Sequence, residues 1–460
     1  MRASPVLATP NGMRLYTEVS MSYAAAIEQL NAKVPELFTG VGVPRRKFSL
    51  DEIGVLLGAL GDPQLRFPSV LIAGTNGKGS TAATLASILI ASGLRTGLYT
   101  SPHLARVNER IQMNSTEIAD EAFAALYFRV DDAAQQLVLD GRLAQLPSFF
   151  EILTAQALLY FAEAGVEIAV LEVGMGGRLD ATNIVDPLLS VITDISLEHT
   201  EWLGPTVAAI TREKAGILRR GGTMVTLPQL PEANQVLGEI AAELEVRGVS
   251  AAEYMPAMGV IGAYPVEVLG AEVSVDSPLA GAHQHRNIAL AIAASAELAK
   301  THGFPISSAS MAAGIRQTRW PGRLEHIKLR GVEWILDVAH NPAGAWALGA
   351  GLRDALEGNK KRTLVFSCLR DKPVEEMGQI LFPLFDEVIV APIHNARAAA
   401  TADLQAAAHA SGVAALAADS VAQALELAAI RSQGGVVVVS GSVYLVGEAR
   451  SLLLAESEGK

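Results

Sequence analysis

Short apolar, β-branched runs alternate with longer stretches of helical spacing along most of this chain. Strand-like runs fall at Val70–Ala73, Ile168–Glu172, Leu188–Thr193 and Thr223–Leu227. Between or beside them, Ser80–Ala91, Phe150–Ala162, Val207–Leu218 and Glu232–Val246 repeat apolar residues at helical intervals. Such alternation predicts a largely parallel sheet covered by helices. From Met258 to Val275 glycine and valine recur, and short β-structure is expected there. The alternation restarts after Trp320-Pro-Gly-Arg323, with strands expected at Trp334–Val338, Thr363–Ser367, Glu387–Ala391 and Val436–Val439. Alanine-rich helices should separate them, and Ala398–Ala418 reads as helical packing. A second, smaller α/β domain of about 130 residues follows from that count.

One junction between strand and helix carries chemistry. Val70-Leu-Ile-Ala-Gly-Thr-Asn-Gly-Lys-Gly-Ser-Thr81 runs from a buried strand through a glycine-rich turn into a helix. Glycines let backbone N–H groups converge, the helix N-terminus adds positive potential, and Lys78 supplies a point charge. The expected occupant is a nucleoside triphosphate. The spacing is a variant of the usual P-loop: only Thr75 and Asn76 separate Gly74 from Gly77-Lys78, and Gly79 precedes Ser80.

Composition narrows the class. At 460 residues the chain is long enough for two or three domains. Half of the residues are hydrophobic, but many are alanine, and no run approaches the roughly 20 apolar residues of a spanning helix. The first twenty residues, with Pro5, Pro10 and Gly12, lack the apolar core of a secretory signal. Cys368 is the single cysteine, which excludes an intrachain disulfide and a cysteine-built metal site. A cytoplasmic enzyme without a membrane partner fits these features. A net charge of −12 argues against a nucleic-acid partner. Locally, Pro44-Arg-Arg-Lys47 is a basic cluster, suited either to an anionic substrate or to a solvated turn.

Ligands in open α/β folds bind at the C-terminal ends of the strands. Besides the phosphate loop, three strings belong there: Tyr99-Thr-Ser-Pro-His-Leu104, Leu171-Glu-Val-Gly-Met-Gly-Gly-Arg-Leu-Asp-Ala-Thr-Asn183, and Leu197-Glu-His-Thr-Glu-Trp-Leu-Gly204. Magnesium takes hard oxygen ligands and shares phosphate oxygens with one or two protein groups. Glu172 at a strand end is the natural carboxylate, Ser101 can add a hydroxyl, and His199 suits a second, looser site. Singly, each has another reading: Glu172 as a cap or ion pair, His199 as a loop histidine, Ser101 as a turn residue.

In their order along the chain these strings resemble the Mur-ligase superfamily, and within it the folylpolyglutamate synthase and dihydrofolate synthase family. The resemblance spans nearly the whole chain. It rests on Gly74–Ser80, Thr100-Ser-Pro-His103, Ser148-Phe-Phe-Glu151, Glu172 through Asn183, Arg212-Glu-Lys-Ala-Gly216, His283-Gln-His-Arg-Asn287, Pro321-Gly-Arg323 and Asp337-Val-Ala-His-Asn-Pro342. It implies a P-loop-containing, mostly parallel-sheet ATPase domain over residues 1–322 and a smaller Rossmann-like α/β glutamate ligase domain over 323–460.

The resemblance also implies roles. Gly74, Thr75, Asn76, Gly77, Lys78, Gly79 and Ser80 would hold the ATP phosphates, with Asn287, Arg323 and Asp337 as further ATP contacts. Ser101, Glu172 and His199 match magnesium ligands, with two ions expected. Lys214 matches a lysine that is carbamylated in the family, converting an ammonium that would repel magnesium into an anion that supports it. Its alternative is an ion pair with Glu213 or a neighbour. Ser148, Phe149, Phe150, Glu151, Leu179, Asp180 and Ala181 match segments lining a pterin site. Lys78, Lys214 and His340 are the implied catalytic groups, although His340 can instead contact nucleotide or order the Asn341-Pro342 turn.

The implied reaction adds L-glutamate to dihydropteroate, to reduced folates, or to both, through an acyl phosphate, in a protein that is generally monomeric. The two-acceptor reading is favoured because both pterin-site strings are kept. Alternatives are a single-acceptor folylpolyglutamate synthase, another Mur-type amino-acid ligase, and a nucleotide-binding regulatory protein without turnover. The chain departs from the usual pattern at Glu198, where many relatives carry aspartate before the histidine.

Overall fold

Along the strand Ser69–Ala73 (β1), Val70 and Ile72 join one apolar cluster while Leu71 and Ala73 join another. Alternation on a fully buried strand means that both faces of its sheet are covered. This is a computed structural model of the chain, and it describes residues 21–33, 49–260, 262–353 and 361–458. Residues 1–20 and the basic cluster Pro44–Lys47 lie outside the described residues.

β1 lies inside an eight-stranded sheet completed by β2 (Thr96–Tyr99), β3 (Ile111–Met113), β4 (Thr116–Glu117), β5 (Ile168–Glu172), β6 (Leu189–Ile192), β7 (Thr223–Thr226) and β8 (Arg247–Ser250). The order is β4-β3-β2-β5-β1-β6-β7-β8, and only the β2–β3 and β3–β4 pairings are antiparallel. Helices Lys78–Ala91, Ala282–His302 and Ser308–Gln317 cover one face, and Asp120–Leu139, Phe149–Ala164 and Val207–Ala215 cover the other. Truncating a fully buried side chain here, such as Leu71→Ala, should cost about 2–5 kcal/mol. The glycine- and valine-rich stretch forms an antiparallel hairpin, β9 (Tyr264–Val268) with β10 (Ala271–Val275).

The second sheet is built from β11 (Glu325–Leu329), β12 (Val332–Leu336), β13 (Arg362–Phe366), β14 (Glu387–Val390), β15 (Ala415–Ala417) and β16 (Val436–Ser440). Its order is β11-β12-β16-β13-β14-β15, parallel except for β11. Val436 and Val438 pack on one face and Val437 and Val439 on the other.

One expected element is corrected. Ala398–Ala418 is not helical throughout: the helix spans Thr401–Ala410, and Ala415–Ala417 is the edge strand β15. Gly412, at φ +74°, turns the chain out of the helix. Hydrogen-bonded pairing with β14 then outweighs alanine's helical preference.

Candidate functional site

The glycine loop follows β1, and its backbone conformation is open to little but glycine. Gly74 has φ +154° and a Cβ there would sit 1.9 Å from Thr193 Oγ1; Gly77 has φ +88° and a Cβ there would sit 2.0 Å from Asn287 Oδ1. From Gly77 the chain enters the helix Lys78–Ala91, so the first free N–H groups of that helix open into a cavity of about 730 Å³.

The cavity lies between the two sheets. Thr75, Asn76, Gly77, Lys78, Gly79, Ser80, Ser101, Glu172, His199, Lys214 and Asn287 reach it from the first, and Arg323, Asp337 and His340 from the second. Gly74 shapes the loop without lining the cavity, and the seven residues of the pterin-site strings are not in its wall. Ser148 and Glu151 form a reciprocal cap on the helix Phe149–Ala164, with Ser148 N–H and Oγ both donating to Glu151 Oε2 at 2.7 Å. Asp180 accepts from Met175 N–H at 2.9 Å and Thr182 N–H at 3.0 Å, heading the 3₁₀ turn that contains Ala181. Leu179 and Phe149 are half-buried, and the Arg110 guanidinium lies 5.3 Å over the Phe149 ring.

Glu172 ends β5 at 4% exposure, and its Oε2 accepts the Ser101 N–H at 3.1 Å. Burial pushes this carboxyl upward, opposed by the Lys78 and Arg323 charges. A buried carboxylate of this kind gains from a cation in the cavity. Burial holds His199 down at about 4, so its imidazole is neutral at pH 7 with a lone pair free to ligate. Among the described residues no three His, Cys, Asp or Glu side chains converge on one metal position. This donor set therefore fits magnesium held jointly by protein and phosphate oxygens, and not a protein-made cage.

Lys214 is 4% exposed and donates to the Gly74 carbonyl at 2.6 Å, while its neighbour Glu213 accepts Arg178 at 2.8 Å. The ion pair with Glu213 is thus not formed. Burial, reinforced by Lys78, lowers the amine to about 7. Lys78 itself folds back onto the Thr75 carbonyl at 3.1 Å. Asp337, at the end of β12, accepts Leu324 N–H at 3.0 Å and Ala339 N–H at 2.9 Å, fixing the entry from Arg323 into the second sheet.

Two groups to which sequence reasoning assigned no role join the domains. Glu198, 8% exposed at its side chain, meets His340 Nε2 at 3.2 Å and accepts from Lys372 Nζ at 3.3 Å. Burial alone would raise Glu198, but the His340 hydrogen bond and the charged neighbours His340 and Lys372 hold it well below the usual carboxylate range. His340 Nδ1 faces the Val338 carbonyl at 2.8 Å, and Asn341 Nδ2 donates to Asn76 Oδ1 at 3.0 Å. The charged string Arg370-Asp371-Lys372 just beyond a predicted strand end was the available signal for Lys372.

Comparison with known proteins bears on this site. The Mur ligase middle domain matches residues 72–295, and the Mur ligase glutamate ligase domain matches 322–443. The dihydrofolate synthase/folylpolyglutamate synthase of Escherichia coli is 34% identical over 446 residues, covering 95% of this chain and 96% of that protein. The Bacillus subtilis protein of the same name is 34% identical, covering 88% and 95%. Among solved structures, Mycobacterium tuberculosis folylpolyglutamate synthase complexed with ADP and AMPPCP superposes with a TM-score of 0.83 at 31% identity, covering 95% and 99%. E. coli FolC in complex with DHPP and ADP gives 0.82 at 29%, covering 96% and 100%.

Proposed function

The chain belongs to the folylpolyglutamate synthase/dihydrofolate synthase family of Mur ligases, and on that premise we propose that it is an ATP-dependent ligase adding L-glutamate to dihydropteroate and to reduced folates. The observation that carries this reading is the single cavity in which the glycine loop, Glu172 and Lys214 face Arg323, Asp337 and His340 of the second sheet.

The glycine loop, Lys78 and Asn287 bind and align the triphosphate. A carboxylate oxygen of the acceptor attacks the γ-phosphorus, forming a C–O–P linkage as the bond to ADP breaks. The glutamate amine then attacks the acyl carbon, the C–N bond forms, phosphate leaves, and the amine loses a proton. No covalent enzyme nucleophile takes part. Catalysis rests on alignment and on positive charge around the transferred group from Lys78, with His340 facing that group across the cavity. Ser101, Glu172 and His199 would hold magnesium, which supplies further charge to the phosphates when bound. At about 7, Lys214 is largely a free amine just above neutrality, the form that takes up CO₂ to give a carbamate and a proton. Contacts from Glu198 to His340 and Lys372 favour a closed arrangement that keeps water from the acyl phosphate. Phe149 and Leu179 would offer apolar surface to a pterin, with Phe150 packed in the core behind them, and the division between domains falls at 322/323.

Among the described residues no helix is long and apolar enough to cross a membrane. We place the protein in the cytoplasm as a monomer, where ATP, glutamate and folates meet. The test is glutamate-dependent phosphate release with ATP and magnesium, run in parallel with dihydropteroate and with tetrahydrofolate. Turnover with both is expected. Turnover with tetrahydrofolate alone would make it a single-acceptor folylpolyglutamate synthase, and silence with both in protein that binds ATP would overturn the folate assignment.

A further inference from the structure

An acidic side chain stands at the mouth of the anion cradle. Asp194 follows β6, and its carbonyl accepts Thr75 N–H at 2.8 Å and Asn76 N–H at 3.2 Å, which stitches it to the glycine loop. Its carboxylate, 38% exposed, lines the same cavity. Left alone, an anion in that place would repel a triphosphate.

Arg286 meets it. From the helix Ala282–His302, Arg286 Nε donates to Asp194 Oδ1 and Oδ2 at 2.9 Å each, and Nη2 to Oδ1 at 2.6 Å. Nη2 also donates to the Pro228 carbonyl at 2.9 Å, so the guanidinium is fixed from two sides. The bidentate fork is a geometry that arginine provides and lysine does not. The next residue on the helix is Asn287, whose amide oxygen packs against Gly77. The cradle's other cations are turned to backbone carbonyls, Lys78 to Thr75 and Lys214 to Gly74.

We propose that Arg286 is a positioning residue for the nucleotide: it cancels the charge that Asp194 would otherwise present beside the cradle. This rests on the reading of the glycine loop as the ATP site. It also predicts an unusual dependence, because the arginine is needed only while the aspartate is present.

Binding of ATP and of ADP would be measured by calorimetry for wild type, R286Q, D194N, the double variant and K78M, alongside the KM for ATP and kcat. In R286Q, ATP should bind on the order of tenfold more weakly, ADP less so, with the change in KM and little in kcat. Added salt should shrink the defect. The double variant should recover to within about threefold of wild type, and D194N alone should bind ATP as tightly as wild type or tighter. A double variant no better than R286Q, or an R286Q that binds ATP normally, overturns the inference. Should R286Q fail to fold, a D194N that weakens ATP binding overturns it equally. K78M separates the two readings: if it too binds ATP normally, the glycine loop is not the ATP site and both fail.

Discussion

The glycine loop and the two pterin-site strings are equally recognisable in the sequence, yet the fold uses them differently. At Gly74–Ser80 the first N–H groups of the helix Lys78–Ala91 open into a cavity that Lys78 also lines, and a Cβ at Gly74 or Gly77 would collide with Thr193 or Asn287. At Ser148–Glu151 and Asp180 the polar groups are already spent on caps and turns behind the wall. A motif can therefore mark a ligand contact or the scaffold that shapes one. Hydrogen-bond partners tell the two apart.

Three variants sharpen that contrast. The largest effect should come from K78M, which removes the cradle's point charge: kcat/KM should fall on the order of a thousandfold, with melting temperature nearly unchanged. Retained turnover would move the phosphate site elsewhere. E198Q comes next. It weakens the contacts to His340 and Lys372, and the expected loss is about tenfold to a hundredfold in kcat/KM for glutamate, with ATP binding little altered. An unchanged glutamate dependence would mean that the bridge between the sheets is incidental. Smallest is S148A, which loses a helix cap and should cost about 1 kcal/mol in unfolding free energy while leaving the KM for dihydropteroate within about threefold. A large rise in that KM with stability intact would turn the string back into a direct pterin contact.

Lys214 adds a pH test of the same cavity. Its amine sits at about 7, so it is mostly protonated at pH 6 and mostly free at pH 8. Protein stripped of CO₂ should regain activity with ¹³C-bicarbonate at pH 8 and show a carbamate ¹³C signal, and at pH 6 it should do neither. Recovery independent of bicarbonate at both values would remove the carbamate from the mechanism.

The sequence by itself determined the alternation of strands and helices, the two sheets and the phosphate loop, because buried strands and glycine turns leave short-range patterns. It also marked Glu172, His199, Lys214, Arg323 and Asp337 as candidates, although their strings lie far apart along the chain. Tertiary structure decided what sequence distance conceals. Ala415–Ala417 became a strand because β14 offered an edge. Glu198 turned to His340 and Lys372, which lie 142 and 174 residues away, and Arg286 turned to Asp194 across 92. An ion pair carries no local periodicity, so nothing in either partner's neighbourhood announces the other. Packing of a helix onto its own sheet, for Arg286, and of one sheet against the next, for Glu198, brings such charges close enough for Coulomb energy to select the pairing.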